Sequence, residues 1–245
     1  MTSPALLHRQ KKLARLAKGT GPITRGAAPM PTEGPVASEY QLLLAQLGMD
    51  LNTLRNIEST DRKIAAKADM LDTYRPWLQG VLEGDGGAQD EIVVTMLIWS
   101  IDLAQWDLAL ALADYVLRHG LALPERFNRK PATLIAEEVA EAGLVKEPAI
   151  SLGVLQAFAR LVQDADIHDA PRAKLEKALG LAFKAAADAF DPEAENAVAG
   201  GKRALCAAAL AHFHEALRLD DGAGVKKLID GCERELKKLA PPPSE

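Results

Sequence analysis

Apolar residues recur every three or four positions along almost the whole chain, and no segment shows sustained alternation of period two. That pattern predicts an all-α fold, a helical bundle. Leu6, Leu7, Leu13 and Leu16 mark a short amphipathic helix stopped by Gly19 and Gly21. Pro22, Pro29, Pro31 and Pro35 then give a stiff linker. Ser38 is placed to cap a helix whose face is Tyr40, Leu43, Leu44 and Leu47. Gly48 interrupts it, and Asp50 caps a second helix bearing Leu51, Leu54 and Ile57. Thr60 or Asp61 starts the next helix, through Ile64, Ala68, Leu71 and Tyr74, with Pro76 placed to kink it before Trp77, Val81 and Leu82.

The glycines of EGDGG break that helix, and a long apolar helix runs from Ala88 to Leu103. Ile92, Thr95, Met96, Trp99 and Leu103 line one side, with Val93, Leu97 and Ile98 on the flank, which predicts a buried central helix. Trp106 to His119 is amphipathic, and Gly120 follows as its stop. Further helices are expected from about Ala132 to Ala142, from Pro148 through Val162, and from Pro171 past Leu175 and Leu179. After the polar break DPEAENAVAGG the chain ends in a helical hairpin turned by LDDGAG, faintly like a tetratricopeptide unit. These signals divide the chain into a basic, Pro/Gly-rich flexible arm (1–36) and a helical region (37–83). A central apolar core and candidate oligomerisation region (84–146), a C-terminal helical region (147–240) and a tail (241–245) follow.

Charge sharpens this division. The net charge is −5, yet residues through Gly80 carry eleven Lys/Arg against seven Asp/Glu, a balance of +4, which leaves −9 for the rest. A basic front suits a polyanion and an acidic back does not. The longest apolar run is broken by Ser100 and Asp102 and is too short to span a bilayer, which needs about 20 residues. Cys206 and Cys232 lack C-x-x-C spacing and read as small buried residues of a reducing compartment. The expectation is a soluble, cytoplasmic chain without membrane contact.

Two constellations could carry function. The first binds nucleic acid. Arg9, Lys11, Lys12, Arg15, Lys18 and Arg25 all precede the first acid, Glu33, and form an arm suited to phosphates. Helix, Gly48 and helix together suggest a helix-turn-helix, with Leu43, Leu47, Met49, Leu54 and Ile57 as its apolar positions, although Leu44 is bulky where a small residue is usual. Asn52, Thr53, Arg55 and Asn56 would then face the groove, with Arg62, Lys63 and Lys67 extending the surface. An ordinary helical hairpin with a solvated tail is the other reading of the same residues. The second constellation is the carboxylate run Asp85, Asp90, Glu91, Asp102 and Asp107, which raises a metal-dependent nuclease. Asp90 and Glu91 are adjacent and diverge on a helix, and both suit a helix N-terminus. His212 and His214 are two apart and cannot chelate as an i, i+4 pair would. The chain has no H-E-x-x-H, no G-x-S-x-G, no dinucleotide glycine pattern and no phosphate loop. We therefore assign no catalytic residue, metal site or cofactor.

Several blocks together resemble a known family. The opening MTSPA, WLQGVLEGDGGAQDEIVVTMLIWSIDLAQWDLALALADYVLRHGL, TLIAEEVA and ALRLDDGAGVKKLIDGCERELKKL are similar to the small terminase subunit of Peduovirus-type tailed phages, over roughly Tyr40 to Leu239. That family is also labelled terminase endonuclease subunit. The closing PPPSE lacks the basic tail of some members. The resemblance implies recognition of viral double-stranded DNA for genome packaging, assembly into a homo-oligomeric ring, and transfer of DNA to the large terminase subunit in the host cytoplasm. The large subunit would supply the ATPase and nuclease. Two other readings predict differently: an endonuclease that cuts concatemeric DNA itself, and a helical scaffold that never contacts DNA.

Overall fold

A computed structural model describes residues 3–22, 26–124, 127, 129–145, 149–193, 198 and 200–239. Among them are ten helices: α1 (Pro4–Arg15), α2 (Gly34–Arg55), α3 (Thr60–Gly84), α4 (Glu91–Asp102), α5 (Trp106–Arg118), α6 (Pro131–Leu144), α7 (Leu152–Val162), α8 (Asp169–Asp188), α9 (Gly201–Leu219) and α10 (Lys226–Lys238). The protein is all-α; the only strand-like feature among the described residues is an isolated bridge between Pro29 and Gln89. The chain forms two compact units, Met1–Pro131 and Ala132–Glu245.

The first unit is built around α4, whose residues from Ile92 to Leu97 are all buried. Asp90 is its cap: Oδ1 accepts from the backbone N–H of Ile92 (2.8 Å) and Val93 (3.1 Å), and Oδ2 accepts from Trp77 Nε1 (2.8 Å). Tyr40 stacks on Trp77 at 5.9 Å, and its hydroxyl accepts from the Glu91 N–H. Tyr74 meets Trp99 edge-on at 6.3 Å and donates to Asp50 (2.6 Å), which also accepts from Gln46 (2.8 Å). The aromatic–carboxylate pairs thus join α2, α3 and α4, and each buried polar group of the set is satisfied.

The chain does not turn at Gly48. The helix-turn-helix expected over Leu43–Ile57 is one unbroken helix, α2. Leu43, Leu47, Asp50 and Leu54 form a continuous buried stripe on both sides of the glycine, and that packing outweighs the roughly 1 kcal/mol that an interior glycine costs. Asp50 lies inside this helix as a buried acceptor and caps nothing. Met49, expected among the apolar contacts, points outward and is 59 % exposed. α3 runs through Pro76 without ending.

The segment read as a flexible arm also differs from expectation. α1 lies along α3, where a Cβ at Gly80 would collide with the Lys11 carbonyl and Ala14, and one at Gly84 with the backbone of Arg15. Two glycines one turn apart let the helices approach backbone to backbone. Ala14 and Ala17 are buried there. The linker is pinned as well: the Ala28 carbonyl accepts from the Gln89 N–H (2.7 Å), while the Gln89 side chain exchanges two hydrogen bonds with Ala122.

In the second unit α8 and α9 form the central pair, with Gly180 against the Phe213 ring. Ala209, Phe213, Ala216, Val225, Ile229 and Cys232 form the core between α9 and α10. Lys177 reaches across to the Ala223 carbonyl (2.7 Å) and fastens the LDDGAG turn. The start expected at Pro148 lies outside the described residues, and α7 begins at Leu152, capped by Ser151.

Candidate nucleic-acid interface

The structure sorts the cations singled out in the sequence by what neutralises them. On α1, Arg9 pairs with the buried Glu39 (3.4 Å), and Lys11 (2.6 Å) and Arg15 (3.8 Å) share Glu83. Those three have intramolecular partners. Lys12 and Lys18 are exposed and form no ion pair among the described residues, and Arg25 lies outside them.

The other group gathers where α2 ends and α3 begins. Asn52, Thr53, Arg55 and Asn56 occupy the exposed last turn and C-cap of α2; Thr53 Oγ1 donates back to the Met49 carbonyl (3.0 Å). Ser59 caps α3 by accepting from the Arg62 N–H, which fixes Arg62 and Lys63 in its first turn. Arg55, Arg62 and Lys63 form no ion pair among the described residues. Arg55 and Lys63, with Lys67, line a surface cavity of about 310 Å³ whose apolar wall is Leu51, Leu54, Ile98, Trp99 and Phe127. Lys67 is held by Asp102 at 2.5 Å. Glu58 and Asp61 are exposed on the same turn, so the local positive balance is small.

The structure does not bring the two basic groups together. α1 docks on the C-terminal half of α3, whereas Arg62 and Lys63 begin that helix. About twenty residues at 1.5 Å each separate them by roughly 30 Å along the axis. The sequence could not have shown that Glu39 and Glu83 neutralise the arm, nor that Trp99 and Phe127 border the α2–α3 cations, because these partners are far apart in the chain.

The carboxylates have structural positions. Asp90 caps α4 beneath Trp77, and Asp102 holds Lys67. Glu91 and Asp107 lie in the first turns of α4 and α5. Asp85 accepts from Arg118 Nη1 (2.7 and 3.0 Å) and contacts His119 Nε2 (2.7 Å); the His119 and Arg118 hydrogen bonds hold its pKa below the usual carboxylate value. His212 contacts Glu176 at 2.7 Å. Among the described residues no three His, Cys, Asp or Glu side chains are grouped to hold a metal ion.

Comparison with known proteins places this arrangement. The phage small terminase subunit family matches residues 44–170. The chain is also 36% identical, over 97% of its length and 87% of the relative's, to the "Terminase, endonuclease subunit" of Escherichia phage P2. The chain belongs to the phage small terminase subunit family. It is a small terminase subunit involved in phage genome packaging. A second relative, the "Probable terminase, endonuclease subunit" of Haemophilus phage HP1 (strain HP1c1), is 25% identical over 93% of this chain and 80% of its own length. No solved structure matches. The family match begins within α2 and covers the cavity-bearing part of the first unit. No helix among the described residues of this small terminase subunit is long and apolar enough to cross a membrane.

Proposed function

We propose that this chain recognises the packaging site of viral double-stranded DNA, associates with copies of itself in a ring, and passes the DNA to the large terminase subunit in the host cytoplasm. The carrying observation is the cluster of cations at the α2–α3 turn, Arg55, Arg62 and Lys63, that form no ion pair among the described residues, beside Asn52, Thr53 and Asn56. An unpaired surface cation can release phosphate counterions without first breaking an internal pair. Because Glu58 and Asp61 share the turn, one copy would hold DNA weakly, and several linked copies would hold it firmly through high effective concentration.

Charge distribution supports the hand-over. The first unit carries fifteen Lys/Arg and fifteen Asp/Glu, whereas the second carries fourteen and nineteen, the whole of the −5. The second unit therefore repels DNA and suits a protein partner. Both relatives have "endonuclease subunit" in their names. The capping and pairing duties of the carboxylates favour cleavage by the two-subunit complex over cleavage by this chain.

The test is a titration of the purified chain, with magnesium, against a duplex bearing the packaging site and a scrambled duplex, with products run on a denaturing gel. The expected result is site-preferring, salt-sensitive binding with both strands intact. Strand cleavage by the lone chain would return Asp90 and Glu91 to a catalytic role. No retention of either duplex at low salt would leave the scaffold reading.

A further inference from the structure

The cavity beside the α2–α3 turn joins two kinds of surface. Leu51, Ile98, Trp99 and Phe127 give it apolar walls, and Arg55, Lys63 and Lys67 give it a cationic side. Among the described residues no Asp or Glu lines it. Trp99 is almost wholly covered, whereas Leu51, Ile98 and Phe127 are half-buried and present the accessible apolar surface. Phe127 is set by a turn in which its N–H donates to the Pro124 carbonyl (2.9 Å). Lys67 is already paired with Asp102, but Arg55 and Lys63 form no ion pair among the described residues. A ligand suited to these walls has a flat apolar body and an anionic group attached to it. Volume sets its size: about 310 Å³ is the small end of ligand sites, which run from roughly 300 to 1,000 Å³, so the cavity admits one ring system and no length of duplex.

We propose that this cavity seats one unpaired base of the DNA against Phe127, while Arg55 and Lys63 hold the phosphates next to it. The inference rests on the DNA contact proposed above for the α2–α3 turn and names the form of DNA that the turn takes. Inside a duplex both faces of a base are covered by its neighbours, so only an unpaired base has a face to offer. Such bases stand at single-stranded ends and where the strands part. Sites for single strands combine the same two elements, cations that follow the backbone and an aromatic ring that takes a base face. Stacking of this kind tolerates any sequence. Preference for the packaging site therefore stays with Asn52, Thr53 and Asn56 on the exposed end of α2, and the cavity adds affinity without reading sequence. Those neutral hydrogen-bonding side chains beside the cations also favour nucleic acid over an acidic protein segment as the occupant.

The test measures the affinity of the full chain for three probes that share one duplex: blunt-ended, with a short thymidine extension, and with an abasic extension of the same length. The thymidine extension should bind at least about fivefold more tightly than the abasic one, the lower end of what a single stacked base supplies. Both extensions carry the same number of phosphates, so each affinity should fall with salt while their ratio holds constant. Phe127→Leu keeps apolar bulk and removes the aromatic face, and should bring the ratio toward one. The ratio is taken within one variant, so a general loss of stability or of charge cancels. Thymidine and abasic extensions bound alike by the wild type would overturn the base-seating cavity, leave duplex contact standing and return the cavity to a protein segment. A ratio undiminished in both Phe127→Leu and Phe127→Ala would overturn Phe127 as the seat. Retention of the thymidine extension without the blunt duplex would uphold the cavity and overturn duplex recognition. No probe retained at low salt would overturn both.

Discussion

Replacing Gly80 and Gly84 together by alanine will detach α1 and destabilise the first unit by about 3 kcal/mol, although alanine favours a helix over glycine by about 1 kcal/mol per site. The added Cβ atoms meet the backbone of Lys11 and Arg15, which cannot rotate aside as a side-chain tip can. Relief requires the whole of α1 to move, and Ala14 and Ala17 lose their burial with it. Limited proteolysis would read this as new cleavage within 16–22, and thermal melting as a lower midpoint. A functional change follows. Detachment releases Arg9 from Glu39, and Lys11 and Arg15 from Glu83. Affinity for scrambled duplex at low salt should therefore rise while stability falls. A double variant that melts like the wild type and resists protease would mean that α1 is not seated on these glycines.

Asp90→Ala should be the most damaging truncation of a carboxylate, at about 3 kcal/mol, or roughly 10 °C in melting midpoint. It removes the cap of the largely buried central helix and leaves the Trp77 indole N–H buried without an acceptor. Its titration adds a pH signature. Burial pushes the Asp90 pKa up to about 6 from 3.8, against the lowering effect of its Trp77, Val93 and Ile92 hydrogen bonds. A raised carboxyl pKa means that the folded state favours the proton. This contribution to stability is full below pH 4 and is lost as pH rises through about 6. Asp90→Asn cannot titrate, so the gap between wild-type and variant melting midpoints should narrow over that interval. A gap that widens with pH would show the three donors outweighing burial.

Much of the fold was legible because its signals are local. α5 and its stop need only the spacing of Leu112, Tyr115 and Val116 and the glycine after His119. The apolar surround of α4 announced a buried helix, although it starts at Glu91 and not at the expected Ala88, because Asp90 caps it. Gly48 misled because a glycine inside an apolar period looks the same whether it bends the chain or faces solvent. Here it faces open space. The docking of α1 was illegible because Gly80 and Gly84 are more than sixty residues from the backbone they admit, and within their own segment they read as the approach to the EGDGG break. The candidate interface was half legible for the same reason: the cations can be counted in the sequence, but whether Glu39 or Glu83 neutralises them depends on the fold. Lys67 was expected on the basic surface, but its pairing with Asp102 and its place beside Trp99 depend on packing.

The most direct measurement is the salt dependence of duplex binding for two variants with three and two cations removed. Removing Arg55, Arg62 and Lys63 by alanine substitution should weaken binding at every salt concentration and lower the slope of log affinity against log salt by roughly 3 per bound copy. Removing Arg9 and Arg15, which already pair with Glu39 and Glu83, should change that slope little. The reverse outcome, an unchanged slope for the α2–α3 variant and a reduced one for the α1 variant, would contradict the assignment of DNA contact to the α2–α3 turn.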